Sequence, residues 1–234
     1  MFQKNSVFEN RLLSLSFQTL DNMILKNSFL VGFTFFCFQA GFTQPPEKKK
    51  LPSKPVRYDF TAYRQKTVVI TEEEQQLYRM IMEYRAEKNL PSIPLSVALT
   101  YVAQTHAGDL AENYQPGGRC NLNSWSKQEG WSSCCYLKGH SQADCMWNKP
   151  RELTTYPADG FEIVFCSAVN PTPEAAFKHW KNNPLNDCVI RNTGTWSETT
   201  WQAIGIGVYK NYITVWLGKE PDNDGEPEMH EEKK

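Results

Sequence analysis

Apolar residues recur at helical spacing in three stretches of the chain and alternate in three others. The first helix is predicted to begin abruptly at Thr71, because Thr71 and Glu74 have capping-box spacing and Glu72, Glu73 and Glu74 complement the helix dipole. Leu77, Met80, Ile81 and Tyr84 then form one stripe, and Asn89 with Pro91 ends it. A second helix is expected from about Ser96 to Asn113, its stripe made by Leu99, Val102, Ala103, His106 and Leu110, so His106 faces the core side. Thr172-Pro173 pairs a cap residue with proline at the first helical position; Ala176, Phe177 and Trp180 mark the apolar side, and Asn182-Asn183-Pro184 stops the helix. After it the chain is read as turning to strand. Ile204, Ile206 and Val208 alternate with Gly205, Gly207 and Tyr209, and Ile213, Val215 and Leu217 alternate on the return. Lys210-Asn211 supplies the two-residue turn, with Asn211 suited to a positive φ. Phe161–Cys166 also has strand character: Phe161, Ile163 and Phe165 fall on one face, Glu162, Val164 and Cys166 on the other. Both faces are apolar around Glu162, as in a sheet covered by helices on two sides.

Between the second and third helices the pattern fails. The stretch from Cys120 to Cys166 holds five cysteines and three tryptophans with no helical period and little alternation. A long irregular segment needs a staple to stay ordered, and cysteine pairs are the obvious one. With Cys37 removed as described below, Cys120, Cys134, Cys135, Cys145, Cys166 and Cys188 remain. An even number in an exported chain predicts three disulfides, in any of fifteen connectivities. Cys134 and Cys135 are adjacent and so take different partners. A zinc site from Cys134, Cys135, His140 and Cys145 is the rival reading, but its spacing matches no zinc finger or ribbon.

The 234 residues, 40% hydrophobic, suffice for one substantial core, and a net charge of −1 gives no global field for nucleic acid. Residues 1–43 read as a signal peptide, with the apolar run Phe29–Phe38 behind Lys26 and a start at Met23 as an alternative to Met1. That run is short for a membrane span, so none is expected after its removal. Residues 44–70 read as a Pro/Lys-rich linker, 71–218 as the folded domain, and 219–234 as an acidic disordered tail. The protein is therefore expected to be secreted or extracytoplasmic.

In this order the elements form an α+β domain, and from about Thr71 to Gly218 the chain resembles the CAP superfamily, the cysteine-rich secretory protein, antigen 5 and pathogenesis-related-1 group, whose domain is also called SCP. The likeness is carried by Glu83-Tyr84-Arg85 closing the first helix, Leu99-Thr100-x-Val102-Ala103 in the second, Cys120-Asn121-Leu122-Asn123-Ser124, Gly160-Phe161-Glu162-Ile163, Trp180 followed by Asn183-Pro184-Leu185-Asn186, and Ile204-Gly205-Ile206-Gly207. The resemblance implies an α-β-α sandwich with a small antiparallel sheet between helices, and a cleft often lined by two histidines and two acids that hold a divalent metal. Here the family's histidines fall on Asn123 and Asn186 and one acid on Asn183, which leaves Glu162 alone. Asparagine carbonyls are poor zinc ligands, so neither metal nor cofactor is expected.

No Gly-x-Ser-x-Gly, His-Glu-x-x-His or phosphate-loop motif stands in for that set. The expectation is a non-catalytic module whose cleft, around Glu162, Asn123, Asn186, His106 and Ser124, recognises a small ligand, lipid or protein surface. A hydrolase using Glu162 with His106 or His140 is one alternative, a Glu152–Glu162 acid pair another, and a structural cell-envelope protein the third.

Overall fold

The computed structural model describes residues 68–229 apart from 138, 140, 141 and 170. The expected signal peptide, residues 44–67 of the expected linker, and His140 lie outside the described residues. Helix α1 spans Glu72–Glu87 and α2 Val97–Asn113; one-turn helices α3 (Ala143–Trp147) and α4 (Lys149–Leu153) follow, then α5 (Pro173–Asn182) and α6 (Pro184–Arg191). The strands are β1 (Val69–Ile70), β2 (Gly160–Cys166), β3 (Ala203–Tyr209), β4 (Tyr212–Gly218) and β5 (Glu228–Met229). Thr71 makes the reciprocal capping box with Glu74, and Ser96 and Thr172 cap α2 and α5.

The antiparallel sheet has the order β2-β4-β3, with Glu162 opposite Trp216 and Trp216 opposite Gly205. That row faces α2, as does the row Val164, Thr214, Gly207. The two glycines let the α2 backbone lie directly on β3: a Cβ at Gly205 would stand 2.0 Å from the Leu99 carbonyl carbon, and one at Gly207 2.3 Å from that of Ala103. The Thr214 hydroxyl donates to the Ala103 carbonyl at 2.9 Å. On the other face Ile163, Ile204, Ile206, Ile213 and Val215 pack against Leu77 and Ile81 of α1, Trp180 of α5 and Ile190 of α6. The result is an α-β-α sandwich with one core on each face of the sheet.

Four elements depart from the sequence reading. Asn183-Pro184 ends α5 but also starts α6, with Asn183 as N-cap and Pro184 in the first turn, so a further helix precedes the hairpin. In the hairpin the positive φ is at Lys210 (49°), not at Asn211. The segment 120–166 contains the two short helices, which one turn of periodicity could not reveal.

The last departure is the C-terminal stretch. Residues 219–229 are ordered, where a disordered tail was expected. The α2 helix has no acid in its first turn, and Asp222 fills the role: its Oδ2 accepts from the Ala98 N–H at 2.9 Å and the Ser96 hydroxyl at 2.6 Å. Val97 N–H donates to the Gly225 carbonyl, Tyr156 holds the Glu220 backbone, and β5 pairs in parallel with β1, so Val68–Ile70 belongs to the folded unit rather than to a linker. Asp222→Ala is expected to cost about 1 kcal/mol through loss of the cap, measured by denaturant unfolding; an unchanged midpoint refutes the capping role.

Two disulfides close the irregular segment, Cys120–Cys135 and Cys134–Cys145, so the adjacent cysteines do take different partners. The third expected bridge is absent: Cys166 and Cys188 carry free thiols. Alternation puts Cys166 on the face of β2 that looks toward α2, whereas α6, which carries Cys188, packs its Val189 and Ile190 into the opposite core. A disulfide needs its Cα atoms within about 7 Å, and the sheet stands between these two. Alkylation in denaturant without reduction should therefore label Cys166 and Cys188 and leave Cys120, Cys134, Cys135 and Cys145 unlabelled by peptide mapping.

Candidate functional site

His106 sits on the second half of α2 and is fully buried, directly above the β2-β4 rows that carry Glu162 and Trp216. Its Nδ1 bonds Glu162 Oε1, and its Nε2–H donates to the Ser124 carbonyl at 3.0 Å. The second carboxylate oxygen, Oε2, accepts from Asn123 Nδ2 at 3.0 Å. Side-chain exposure of both His106 and Glu162 is 0%. The Trp125 ring stacks on the imidazole, 4.3 Å between centres and 7° between planes, and Trp216 meets it edge-on at 6.3 Å. Three parts of the chain are thus fastened at one point: helix α2, strand β2 and the stapled segment.

A carbonyl only accepts, so Nε2 must carry a proton whatever the state of the ring. Burial works to keep the imidazole neutral, but the Glu162 carboxylate, the Ser124 carbonyl and the nearby Asp109 charge outweigh it and raise His106 above its ordinary value of 6.5. A base raised on folding contributes stability that is complete below about 6.5 and is lost as pH climbs through the folded value. The destabilisation caused by His106→Phe should therefore be largest below about pH 6.5 and shrink as pH rises. Glu162→Ala leaves the Asn123 amide and His106 Nδ1 without their acceptor and should cost about 1–3 kcal/mol. A flat pH dependence for the first variant, or an unfolding midpoint unchanged by the second, refutes the pairing.

The other sequence candidates are placed as follows. Ser124 is buried, and its hydroxyl accepts from Tyr136 N–H at 2.9 Å, tying two arms of the stapled segment. Asn186 is on α6, in the layer on the far face of the sheet, and does not meet Glu162, whose partners are His106 and Asn123. Asn183 is spent as the α6 cap. Glu152 does not pair with Glu162. It pairs with the buried Lys149 and accepts from Ser132 N–H. Burial works to raise Glu152, but these partners hold it below the usual carboxylate range. Lys149 was not legible as a site residue; its ammonium also lies 5.3 Å from the Trp125 ring centre.

Among the described residues no group of three or more His, Cys, Asp or Glu side chains could hold a metal ion. The zinc reading at Cys134, Cys135 and Cys145 fails because all three are disulfide-bonded.

A cleft of about 370 Å³ opens between the C-terminal half of α2 and the stapled segment. Leu110, Tyr114 and Trp125 give it an apolar wall, with Arg119 and Lys127 also in its lining. Asp109 lines it too, with its oxygens taken by Ser126 and by Asn113 Nδ2. Of the five candidate cleft residues only Ser124 borders this space. Glu162, Asn123, Asn186 and His106 do not line it. Glu162 and His106 lie too deep, and Asn186 is in the other layer.

A three-stranded antiparallel sheet between two helical layers, with a disulfide-stapled loop on one side, defines an SCP-type sandwich. Residues 78–217, more than half of the chain, match the model of the cysteine-rich secretory protein (CAP) family, and the chain belongs to it. No curated protein matches the chain in sequence. Similar solved structures include an extracellular protein containing an SCP domain from Bacillus anthracis, at 16% identity and a TM-score of 0.42 over 63% of this chain and 40% of that one. A cysteine-rich secretory protein from Staphylococcus aureus gives 12% and 0.42 over 63% and 39%. An outer surface protein from Borrelia burgdorferi gives 19% and 0.43 over 65% and 97%. The chain spans about two fifths of the length of the first two.

Proposed function

We propose that this CAP-family domain is a non-catalytic, secreted binding module. The observation that carries the reading is the complete burial and mutual saturation of His106 and Glu162. A general acid or base must come within hydrogen-bond reach of the substrate proton. Here Nδ1, Nε2, Oε1 and Oε2 all have protein partners, and neither side chain reaches solvent. The hydrolase alternative with Glu162 and His106 therefore has no accessible acid or base to work with. A small molecule can instead enter the cleft beside α2, whose apolar wall and cationic rim suit an amphipathic ligand. Two disulfides and the apolar run at 29–38 support export. Among the described residues no helix is long and apolar enough to cross a membrane.

The test has two arms. A broad hydrolysis screen should give the same background for the parent and for Glu162→Gln; turnover that disappears in that variant overturns the reading. A thermal-shift screen of small amphipathic compounds should yield ligands whose stabilisation is lost when the exposed cleft residue Ser133 is replaced by tryptophan, which fills the space. Stabilisation indifferent to Ser133→Trp overturns the cleft as the binding site.

A further inference from the structure

The second face of the sandwich carries an open strand edge beside an apolar groove, remote from the cleft. In β2 the hydrogen-bonded pairing with β4 includes Ser167 N–H to the Asn211 carbonyl at 3.0 Å, and the register then turns the backbone groups of Glu162, Val164 and Cys166 outward, away from β4. The Val164 carbonyl shows the same orientation but is already bonded by the Trp180 indole N–H at 3.3 Å, so the free groups of this edge are those of Glu162 and Cys166. Among the described residues no backbone bond is made by the outward groups of Glu162 or Cys166. Glu162 as a residue is half-buried although its side chain is 0% exposed, so the atoms it shows to solvent are those of the main chain. The opposite edge of the sheet is closed: Ile204 is bonded on both sides by Pro94 and Ser96, and Val208 N–H donates to Glu74. Sequence devices that guard an edge, an internal proline or lysine, are missing from Gly160–Cys166.

Alongside that edge lies an open groove of about 770 Å³, formed by Phe165 of β2 with α5 and the start of α6. Leu185 stands in it with 79% of its surface exposed, an apolar side chain held in water at a helix junction. The lining includes Lys178 and His179 and no carboxylate, and Lys178 makes no ion pair among the described residues. We propose that the β2 edge and this groove form a docking surface for an extended, acidic segment of another protein, added as a further strand with its apolar side chains on Phe165 and Leu185 and its carboxylates toward Lys178. The outward backbone groups of Glu162 and Cys166 favour a polypeptide over an anionic membrane, because a bilayer surface cannot complete a strand ladder. This surface is independent of the cleft, and either assignment can fail alone.

The experiment is fluorescence anisotropy with two pools of capped octapeptides. One alternates Asp or Glu with Leu, Val, Ile or Phe; the other has lysine at the acidic positions. The full chain should bind the acidic pool at least about tenfold more tightly, and Lys178→Glu or Leu185→Asp should each weaken that binding by about tenfold. Both residues are exposed, so the variants should unfold at the parent's midpoint. N-methylation of alternate amides in the best acidic peptide should abolish binding in one register and spare it in the other, which contact without strand addition would not produce. Equal binding of the two pools overturns the proposal, as does insensitivity to N-methylation. Phosphatidylserine vesicles captured in place of peptide would overturn it in favour of a membrane surface. Self-association of the chain dissolved by Leu185→Asp would overturn it in favour of a second copy.

Discussion

Replacing Gly205 by alanine is expected to destabilise the domain by about 3 kcal/mol, the upper end of what overpacking costs. The added methyl would stand 2.0 Å from the Leu99 carbonyl carbon, 2.2 Å from its oxygen and 2.2 Å from Thr100 N. All three are backbone atoms of α2, so no side chain can swing aside, and the helix as a whole must lift from β3. Lifting it pulls His106 away from Glu162, two strands along the same row, so the buried pair is disturbed by a residue that does not touch it. Gly118→Ala is the matched control: there the new atom meets only the Gln115 carbonyl, at 3.3 Å on an exposed turn, and the change should stay within about 0.5 kcal/mol. Guanidinium unfolding of the two variants against the parent decides it. A Gly205→Ala midpoint equal to the parent's would mean that α2 does not rest on the β3 backbone as described.

Arg85→Met is expected to cost about 3–5 kcal/mol, because it strands several acceptors at once. Arg85 lies at the end of α1 with only 2% of its surface exposed, and among the described residues no carboxylate pairs with it. Its Nε donates to the Pro91 carbonyl at 3.0 Å, and its Nη1 to the Ile190 carbonyl and to Asn192 Oδ1, each at 2.6 Å. It thereby satisfies the end of α6 and the loop after α1 together. Burial lowers its pKa to about 10, which still leaves the guanidinium charged at neutral pH. Arg85→Lys should recover little, since one ammonium cannot span the fork. The check is the unfolding free energy of both variants; a lysine variant as stable as the parent would show that charge alone, and not the planar geometry, matters.

Arg85 also shows how far the sequence could be read. Glu83-Tyr84-Arg85 was visible as a family-like helix end, but nothing in its spacing says that the guanidinium reaches more than a hundred residues along the chain to Ile190. Local signals translated well: the Thr71 box, the Ser96 and Thr172 caps and the alternation of 204–217 all depend on neighbours within a few positions. The alternation of Phe161–Cys166 even assigned Glu162 and Ile163 to their proper faces. Quantities set by layer and distance were not legible. Cys166 and Cys188 make an even number with the other cysteines, yet occupy opposite layers. Asn186, which the resemblance put at a family ligand position, lies in the layer across the sheet from Glu162. His106 was legible as a core-facing residue because its stripe is unambiguous, whereas its partner depended on how two elements stack. The acidic run after Gly218 resembles a solvated tail by composition. Its role emerges only when Asp222 meets a helix start that lacks an acid of its own.

The pairing of β1 with β5 has a consequence for how the chain acquires its fold. Val69 lies opposite Glu228, so nearly the entire domain must be made before the two strands can meet, and the Asp222 cap on α2 arrives equally late. Contacts this distant along the chain are slow to form, because loop closure precedes their reward. The β1-β5 ladder is therefore among the last parts of the domain that can form.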